Sequence, residues 1–419
     1  MQTSFTDAQR AKPGMQENEQ ILRTCVHCGL CSATCPTYAL LGDELDSPRG
    51  RIYLIKNMLE TGRPATAHDA LHIDRCLSCL SCMTTCPSGV DYAHLVDNAC
   101  QWIEESYTRP WHERMLRNIL AFVLPHSGRF KTALLLSRLA KPFARLLPRR
   151  LQAMLELAPA SLPRATPQQT SAIGQHRMRV ALLGGCVQPV IAPQVDAATI
   201  RLLTRHGCEI VTGGGCCGAL THHLGKDAKD FARANVDRWT KEIEGEGLDA
   251  IVVNASGCGV LVKDYGHLLR DDPAYAEKAA RVAALAKDPC EVLDFLGLVP
   301  GTLNQSIKVA YHSACSLQHG QRIPDLPKQL LRKVGFKVVD VPQAYLCCGS
   351  AGTYNILQPQ IARQLREAKA TNIRKTAPDV VAAGNIGCLV HIAKGMPELP
   401  VVHTVELLDW ATGGPQPVL

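Results

Sequence analysis

Two runs of cysteine carry most of the chemistry that this 419-residue chain can offer. Cys25-x-x-Cys28-x-x-Cys31-x-x-x-Cys35-Pro36 recurs fifty-one residues later as Cys76-x-x-Cys79-x-x-Cys82-x-x-x-Cys86-Pro87. In this spacing three close thiolates grip one [4Fe–4S] cube, and the fourth, beside proline, crosses to the other cube. One cluster is therefore assigned Cys25, Cys28, Cys31 and Cys86. The other takes Cys76, Cys79, Cys82 and Cys35. Paired Cys-x-x-Cys motifs also suit tetrahedral zinc, but two complete runs, each closed by proline, favour iron. Such a pair passes electrons one at a time.

Between these ligands lie His27, Gly29, Leu30, Leu77, Ser78, Leu80 and Ser81. Their backbone N–H groups and burial would tune the clusters. Ser47-Pro48 reads as the N-cap and first residue of a helix, which leaves Arg49 and Arg51 to form structural ion pairs nearby.

Eight further cysteines fall in two sets: Cys186, Cys216, Cys217 and Cys258, then Cys315, Cys347, Cys348 and Cys388. They belong to an internal duplication. The segments starting at Met178, Cys216 and Asp249 recur at Ile307, Cys347 and Asp379, offsets of 129, 131 and 130 residues. Leu293-Asp294-Phe295 resembles Leu408-Asp409-Trp410. Short β-branched runs (Val180 to Leu183, Ile251 to Val253) alternate with helical stretches (Ala192 to His206, Lys226 to Glu244), a pattern that favours parallel sheets covered by helices. Each cysteine is expected just after a strand or in a glycine-rich turn. Those are the strand ends where such sheets bind ligands.

Three uses of the duplicated cysteines stay open: a third metal centre, a quinone or partner-docking scaffold, or buried small hydrophobes. His222, His223 and His312 lie near enough in sequence to ligate or tune a centre, with hydrogen bonding the simpler role. Cys100, Cys208 and Cys290 fall outside every motif and read as structural. Gly213-Gly-Gly-Cys-Cys-Gly218 formally matches a dinucleotide fingerprint. Its counterpart Ala344-Tyr-Leu-Cys-Cys-Gly349 keeps the cysteines and loses the first two glycines, so a nucleotide site is rejected.

The bulk numbers set the frame. A 46% hydrophobic and 20% charged composition is that of a globular protein with two or three cores. Thiolate ligation to iron fits a reducing compartment. The first eighteen residues lack an apolar signal core, and no run approaches the roughly eighteen apolar residues of a spanning helix. The net charge of +7 is uneven: Arg109 to Arg150 carries +9 and the remainder −2. This basic stretch reads as amphipathic helices broken at Pro125 and Pro142, followed by a linker from Pro159 to Gln169. It suits anionic lipid, an acidic partner or its own neighbouring domains. No nucleic-acid reader motif accompanies it.

The pattern Cys…Cys-Cys-Gly…Gly-Cys, twice, behind a two-cluster block resembles the cysteine-rich CCG family, from about Ile21 to Trp410. Within it Thr24-Cys-Val-His-Cys-Gly-Leu-Cys31, Asp46-Ser-Pro-Arg-Gly-Arg-Ile-Tyr53 and Cys347-Cys-Gly-Ser-Ala-Gly-Thr-Tyr354 are most similar to glycolate oxidase iron–sulfur subunits. The resemblance implies an α/β protein with an N-terminal ferredoxin-like, largely helical two-cluster domain and duplicated CCG α/β lobes. The expected boundaries are 1–100 for the two-cluster domain, 101–172 for the basic connector, 173–300 for the first repeat and 301–419 for the second. Relatives that bind clusters close each repeat with Cys-x-x-Cys. Here Ala255 and Asn385 stand at that position, which argues against a paired noncubane cluster.

No hydrolytic triad, phosphate loop or flavin fingerprint appears, and no catalytic residue is assigned. The resemblance implies flavoprotein partners that hold FAD and oxidise glycolate to glyoxylate. This chain would pass the electrons on to a quinone at the cytoplasmic face of the inner membrane. The alternatives are the equivalent subunit of an anaerobic glycerol-3-phosphate or lactate dehydrogenase, or a non-catalytic zinc scaffold.

Overall fold

The computed structural model describes every residue except Ala160, which lies in the expected linker, and Thr302 and Asn304, at the head of the expected second repeat. The N-terminal part is helical. Helices Met15–Thr24, Pro48–Thr61, Ala67–Asp74 and Tyr92–Ser106 bury Leu22, Ile55, Met58, Ile73, Leu95 and Ile103 against one another. Local chemistry sets the ends of the central helix. Ser47 Oγ accepts the Gly50 N–H at 3.0 Å, Pro48 occupies the first turn, and Gly62 closes it in the left-handed region.

Each repeat is a four-stranded parallel sheet. The first contains β1 (Met178–Leu183), β2 (Cys208–Gly213), β3 (Ala250–Val252) and β4 (Ala286–Lys287), in the order β2-β1-β3-β4. The second contains β5 (Lys308–Tyr311), β6 (Lys337–Asp340), β7 (Val380–Ala383) and β8 (Val401–His403), in the order β6-β5-β7-β8. Val180 faces Ile210 and Ala250, and Val309 faces Val338 and Val380. The registers thus repeat residue for residue. β3 and β7 are buried throughout, as central parallel strands covered on both faces must be.

The two sheets share a core in which Val180, Leu182 and Ile210 meet Val309, Tyr311 and Val380. Beside it, helix Pro193–Arg205 packs on helix Thr404–Ala411. Arg201 and Arg205 reach the buried Asp409 at 2.6 and 3.0 Å. The matching Asp294 is half-exposed and meets Lys333 at 3.5 Å. Both tripeptides therefore join the repeats, Asp409 through a buried carboxylate between two arginines and Asp294 through an exposed pair, with Leu293 and Leu408 in the shared core.

The basic stretch folds as helices Trp111–Val123, Ser127–Ala140 and Arg149–Leu157, with a 3₁₀ turn at Lys141–Leu146 that carries Pro142. Two details differ from expectation. The helix expected from Lys226 starts at Lys229, and Lys226 pairs with Glu104 of the N-terminal part. Cys258 and Cys388 lie not in turns but within helices Ser256–Lys263 and Ile386–Gly395.

Candidate metal centres

The two N-terminal cysteine runs meet face to face. Their equivalent threonines, Thr34 and Thr85, bring their hydroxyls to 3.1 Å. Within each run the backbone enters the left-handed region twice at matching positions: His27 and Gly29, then Ser78 and Leu80. For His27, Ser78 and Leu80 this conformation is strained. Such alternation forms the backbone concavities that receive anionic clusters.

Cys25, Cys28, Cys31 and Cys86 line one cavity. Cys35, Cys76, Cys79 and Cys82 line a second, and Cys82 also borders the first. Burial, with Cys25 close by, pushes the Cys31 thiol up to about 11. Burial raises Cys79 and Cys82 as well. Thiols so placed ionise when a cationic centre compensates them, which is the chemistry of a metal donor set. None of the nineteen cysteines forms a disulfide.

Donors surround the second cavity. The Ser78 N–H and the Tyr92 hydroxyl point at Cys76 Sγ, at 3.4 and 3.7 Å. Thr37 Oγ1 lies 3.3 Å from Cys35 Sγ, and Arg51 Nη1 lies 3.9 Å from it. Arg51 is anchored in a buried knot. It donates to the His72 carbonyl at 2.7 Å and to Thr37 Oγ1 at 3.0 Å, and faces Asp46 at 3.5 Å. Asp46 also accepts from Arg75 at 2.7 Å and meets His72 Nδ1 at 3.0 Å. Arg51, expected to be purely structural, thus touches a candidate ligand as well. Arg49 pairs with Glu44 at 2.7 Å. Sequence reasoning passed over Asp46, Thr37 and Tyr92. Asp46 stood in plain view beside Ser47-Pro48, but nothing local showed it to be buried.

The duplicated cysteines converge as well. The thiols of Cys186, Cys216, Cys217 and Cys258 neighbour one another in the first repeat, as those of Cys315, Cys347, Cys348 and Cys388 do in the second. The turn after each Cys-Cys pair explains how neighbours serve one site. Gly218 and Gly349 have φ of +93° and +92°, and their N–H groups return to Cys216 and Cys347 Sγ at 3.3 and 3.4 Å. A Cβ on Gly349 would lie 2.6 Å from the Ala362 carbonyl oxygen. Gly349→Ala is therefore expected to cost about 3 kcal/mol of stability, from a strained φ and a clash. Urea unfolding would read this as a lower midpoint.

The cysteines of both repeats, Cys348 apart, line one chamber of about 650 Å³, with Cys76 and Cys79 at its N-terminal side. The basic connector supplies the facing apolar wall, including Leu120, Val123, Phe130, Leu134 and Leu151. His222 lies 3.0 Å from Asp97 and His223 3.8 Å from it, so these histidines join the repeat to the N-terminal part. Cys208 and Cys290 are core residues. Cys100, expected to be structural, also borders the chamber. The glycine-rich decoy holds Cys216 in place: Asn235 accepts the Gly215 N–H and donates to the Cys216 carbonyl, both at 2.9 Å.

Residues 24–90 match a family model described as a 4Fe-4S dicluster domain. Residues 180–263 and 309–393 match a cysteine-rich domain. The glycolate oxidase iron-sulfur subunit of Escherichia coli (strain K12) is 43% identical, across 98% of this chain and 99% of that protein. The probable glycolate oxidase iron-sulfur subunit of Bacillus subtilis (strain 168) is 31% identical, across 96% of each. Lactate utilization protein A of Bacillus licheniformis is 33% identical, across 55% of this chain and 99% of that protein. A hypothetical protein from Helicobacter pylori, known from its crystal structure, shares the fold. Its TM-score is 0.55 at 11% identity, over 99% of this chain and 74% of that one.

Proposed function

Because this chain belongs to the family of glycolate oxidase iron–sulfur subunits, we propose that it carries electrons from a flavoprotein partner, which oxidises glycolate to glyoxylate, to a membrane quinone. One observation carries the reading: two four-cysteine sets, each around its own cavity, share the border residue Cys82. Cys25, Cys28, Cys31 and Cys86 would hold one [4Fe–4S] cluster, and Cys76, Cys79, Cys82 and Cys35 the other. Bound there, the clusters supply one-electron transfer. The substrate's two-electron oxidation falls to FAD on the partner, because flavin splits an electron pair. The full-length similarity to glycolate oxidase subunits favours glycolate over lactate, since the lactate utilization protein matches only 55% of the chain. A brown, anaerobically purified protein whose absorbance near about 400 nm bleaches with dithionite supports the cluster reading. A colourless protein holding zinc overturns it.

The connector supports delivery at a membrane surface. No described helix is long and apolar enough to cross a membrane. Yet Trp111, Phe122, Leu136, Leu139, Phe143 and Leu146 are all more than half exposed. Arg129 stacks on Phe122 at 4.0 Å, joining the outer faces of two connector helices. Cations interleaved with exposed apolar side chains suit an anionic bilayer. The holoprotein is expected to float with vesicles containing anionic lipid. Reversing Arg138, Arg145 and Arg149 to glutamate should weaken binding at least about tenfold. Equal flotation of the variant would remove the connector from this role.

A further inference from the structure

The two repeats are not equivalent around their cysteines. The register that sets Val309 on Val180 places His312 where the first repeat has Leu183. Likewise, the sixteen-residue helices Lys229–Glu244 and Pro359–Arg374 place Lys369 where the first repeat has Trp239. At these two positions the first quartet has apolar groups, Leu183 and Trp239, buried with Cys217 in one core cluster, and its nearby histidine, His126, comes from the connector. The second has a histidine and a lysine beside it.

His312 is 1% exposed, and neither ring nitrogen has a hydrogen-bond partner among the described residues. Leaving both nitrogens of a buried imidazole unpaired is costly. A ring nitrogen, Cys348 Sγ and Cys388 Sγ all lie within 4.8 Å of one another. The same quartet joins the N-terminal part. Cys315 and Cys347 are buried in one cluster with Leu77, against which Cys79 packs. The Tyr354 hydroxyl donates to the Arg75 carbonyl at 3.1 Å, and the Thr84 hydroxyl lies 2.7 Å from His319 Nδ1.

We infer that the second repeat alone holds a third, iron-containing centre, with His312 as its nitrogen ligand alongside thiolates from Cys315, Cys347, Cys348 and Cys388. The inference rests on the reading of this chain as an electron carrier, since the centre would lie next in line after the cluster that Cys79 binds. Lys369, 2% exposed and hydrogen-bonded to the Gln343 carbonyl at 3.0 Å, sets a buried amine near these cysteines. As a fifth donor, a neutral imidazole adds no negative charge where a fifth thiolate would, which makes such a centre easier to reduce than an all-cysteine one. The first repeat has Leu183 and Trp239 in place of these two residues, so its quartet lacks both the nitrogen ligand and the buried lysine.

The test uses the full-length, anaerobically reconstituted protein with ¹⁵N-labelled histidine. Iron and zinc are counted, and nitrogen couplings are read by pulsed EPR. The expected result is iron beyond the roughly eight atoms of two cubanes, with a histidine coupling on the additional centre. His312→Leu, which copies the first repeat, should abolish that coupling and lower the iron count, leaving both N-terminal signals intact. His312→Cys should restore the iron without the coupling, and Cys258→Ser should change neither. Iron at the two-cubane level, zinc in the second quartet, a coupling that survives His312→Leu, or equal iron loss in Cys258→Ser would each overturn the inference. Absence of the N-terminal signals themselves would instead bring down the electron-carrier reading on which it rests.

Discussion

Cys86→Ser is expected to remove the cluster held by Cys25, Cys28 and Cys31 while largely sparing the one held by Cys76, Cys79 and Cys82. The reason is geometric. Cys86 closes the second cysteine run in sequence but lines the cavity of the first. Cys35 makes the reciprocal crossing into the cavity of Cys76, Cys79 and Cys82. Serine offers a poorer ligand for iron than a thiolate, so the first cluster should be lost or converted to a three-iron form. Glycolate-dependent reduction of a downstream acceptor should fall by at least about tenfold if both cubanes lie on the path. Cys35→Ser should give the mirror-image spectrum. Loss of the Cys76-side cluster in Cys86→Ser would show that each run binds its own cube.

Asp46→Ala should be the most destabilising change away from the cysteines. Asp46 is fully buried and neutralises Arg51, itself 1% exposed, while also meeting Arg75 and His72. Removing the carboxylate leaves a buried guanidinium without its counter-charge, a change that costs about 3–5 kcal/mol. It would also free the Thr37–Arg51 pair that steadies Cys35. Urea unfolding of the anaerobic holoprotein should show a much lower midpoint, with iron loss starting at the Cys35-containing site. Asp46→Asn keeps the shape and one acceptor oxygen, so it should fall between the two. If Asp46→Ala were as stable as the parent protein, the knot would not be what holds this part of the domain.

Much of the fold was legible because its signals are local or repeated. Offsets near 130 residues foretold a duplicated α/β unit, which the structure realises as two sheets of matching strand order, and β-branched runs marked central strands. The cysteine spacing divided eight residues into two crossed groups, and the structure brings each group around its own cavity. What stayed hidden depends on contacts between distant segments. Nothing near Asp46 in sequence announces Arg75 or His72. Nothing in the connector's apolar pattern shows that one side of it would wall a chamber facing the cysteines of both repeats. His312 was noticed for its nearness to Cys315, yet its orphaned nitrogens and its pairing with Cys348 and Cys388 emerge only once β5 and helix Ile386–Gly395 are packed together. The helical placement of Cys258 and Cys388 has a local cause in part: Asn385 caps its helix by accepting the Gly387 and Cys388 N–H groups.

The most direct test is low-temperature EPR of anaerobic membranes that contain this protein with its native partners. Glycolate, D-lactate and glycerol 3-phosphate are added separately. Reduction of the N-terminal clusters by glycolate is the predicted result. Reduction by D-lactate or glycerol 3-phosphate alone, or silence with glycolate in membranes where dithionite reduces the clusters, would contradict it.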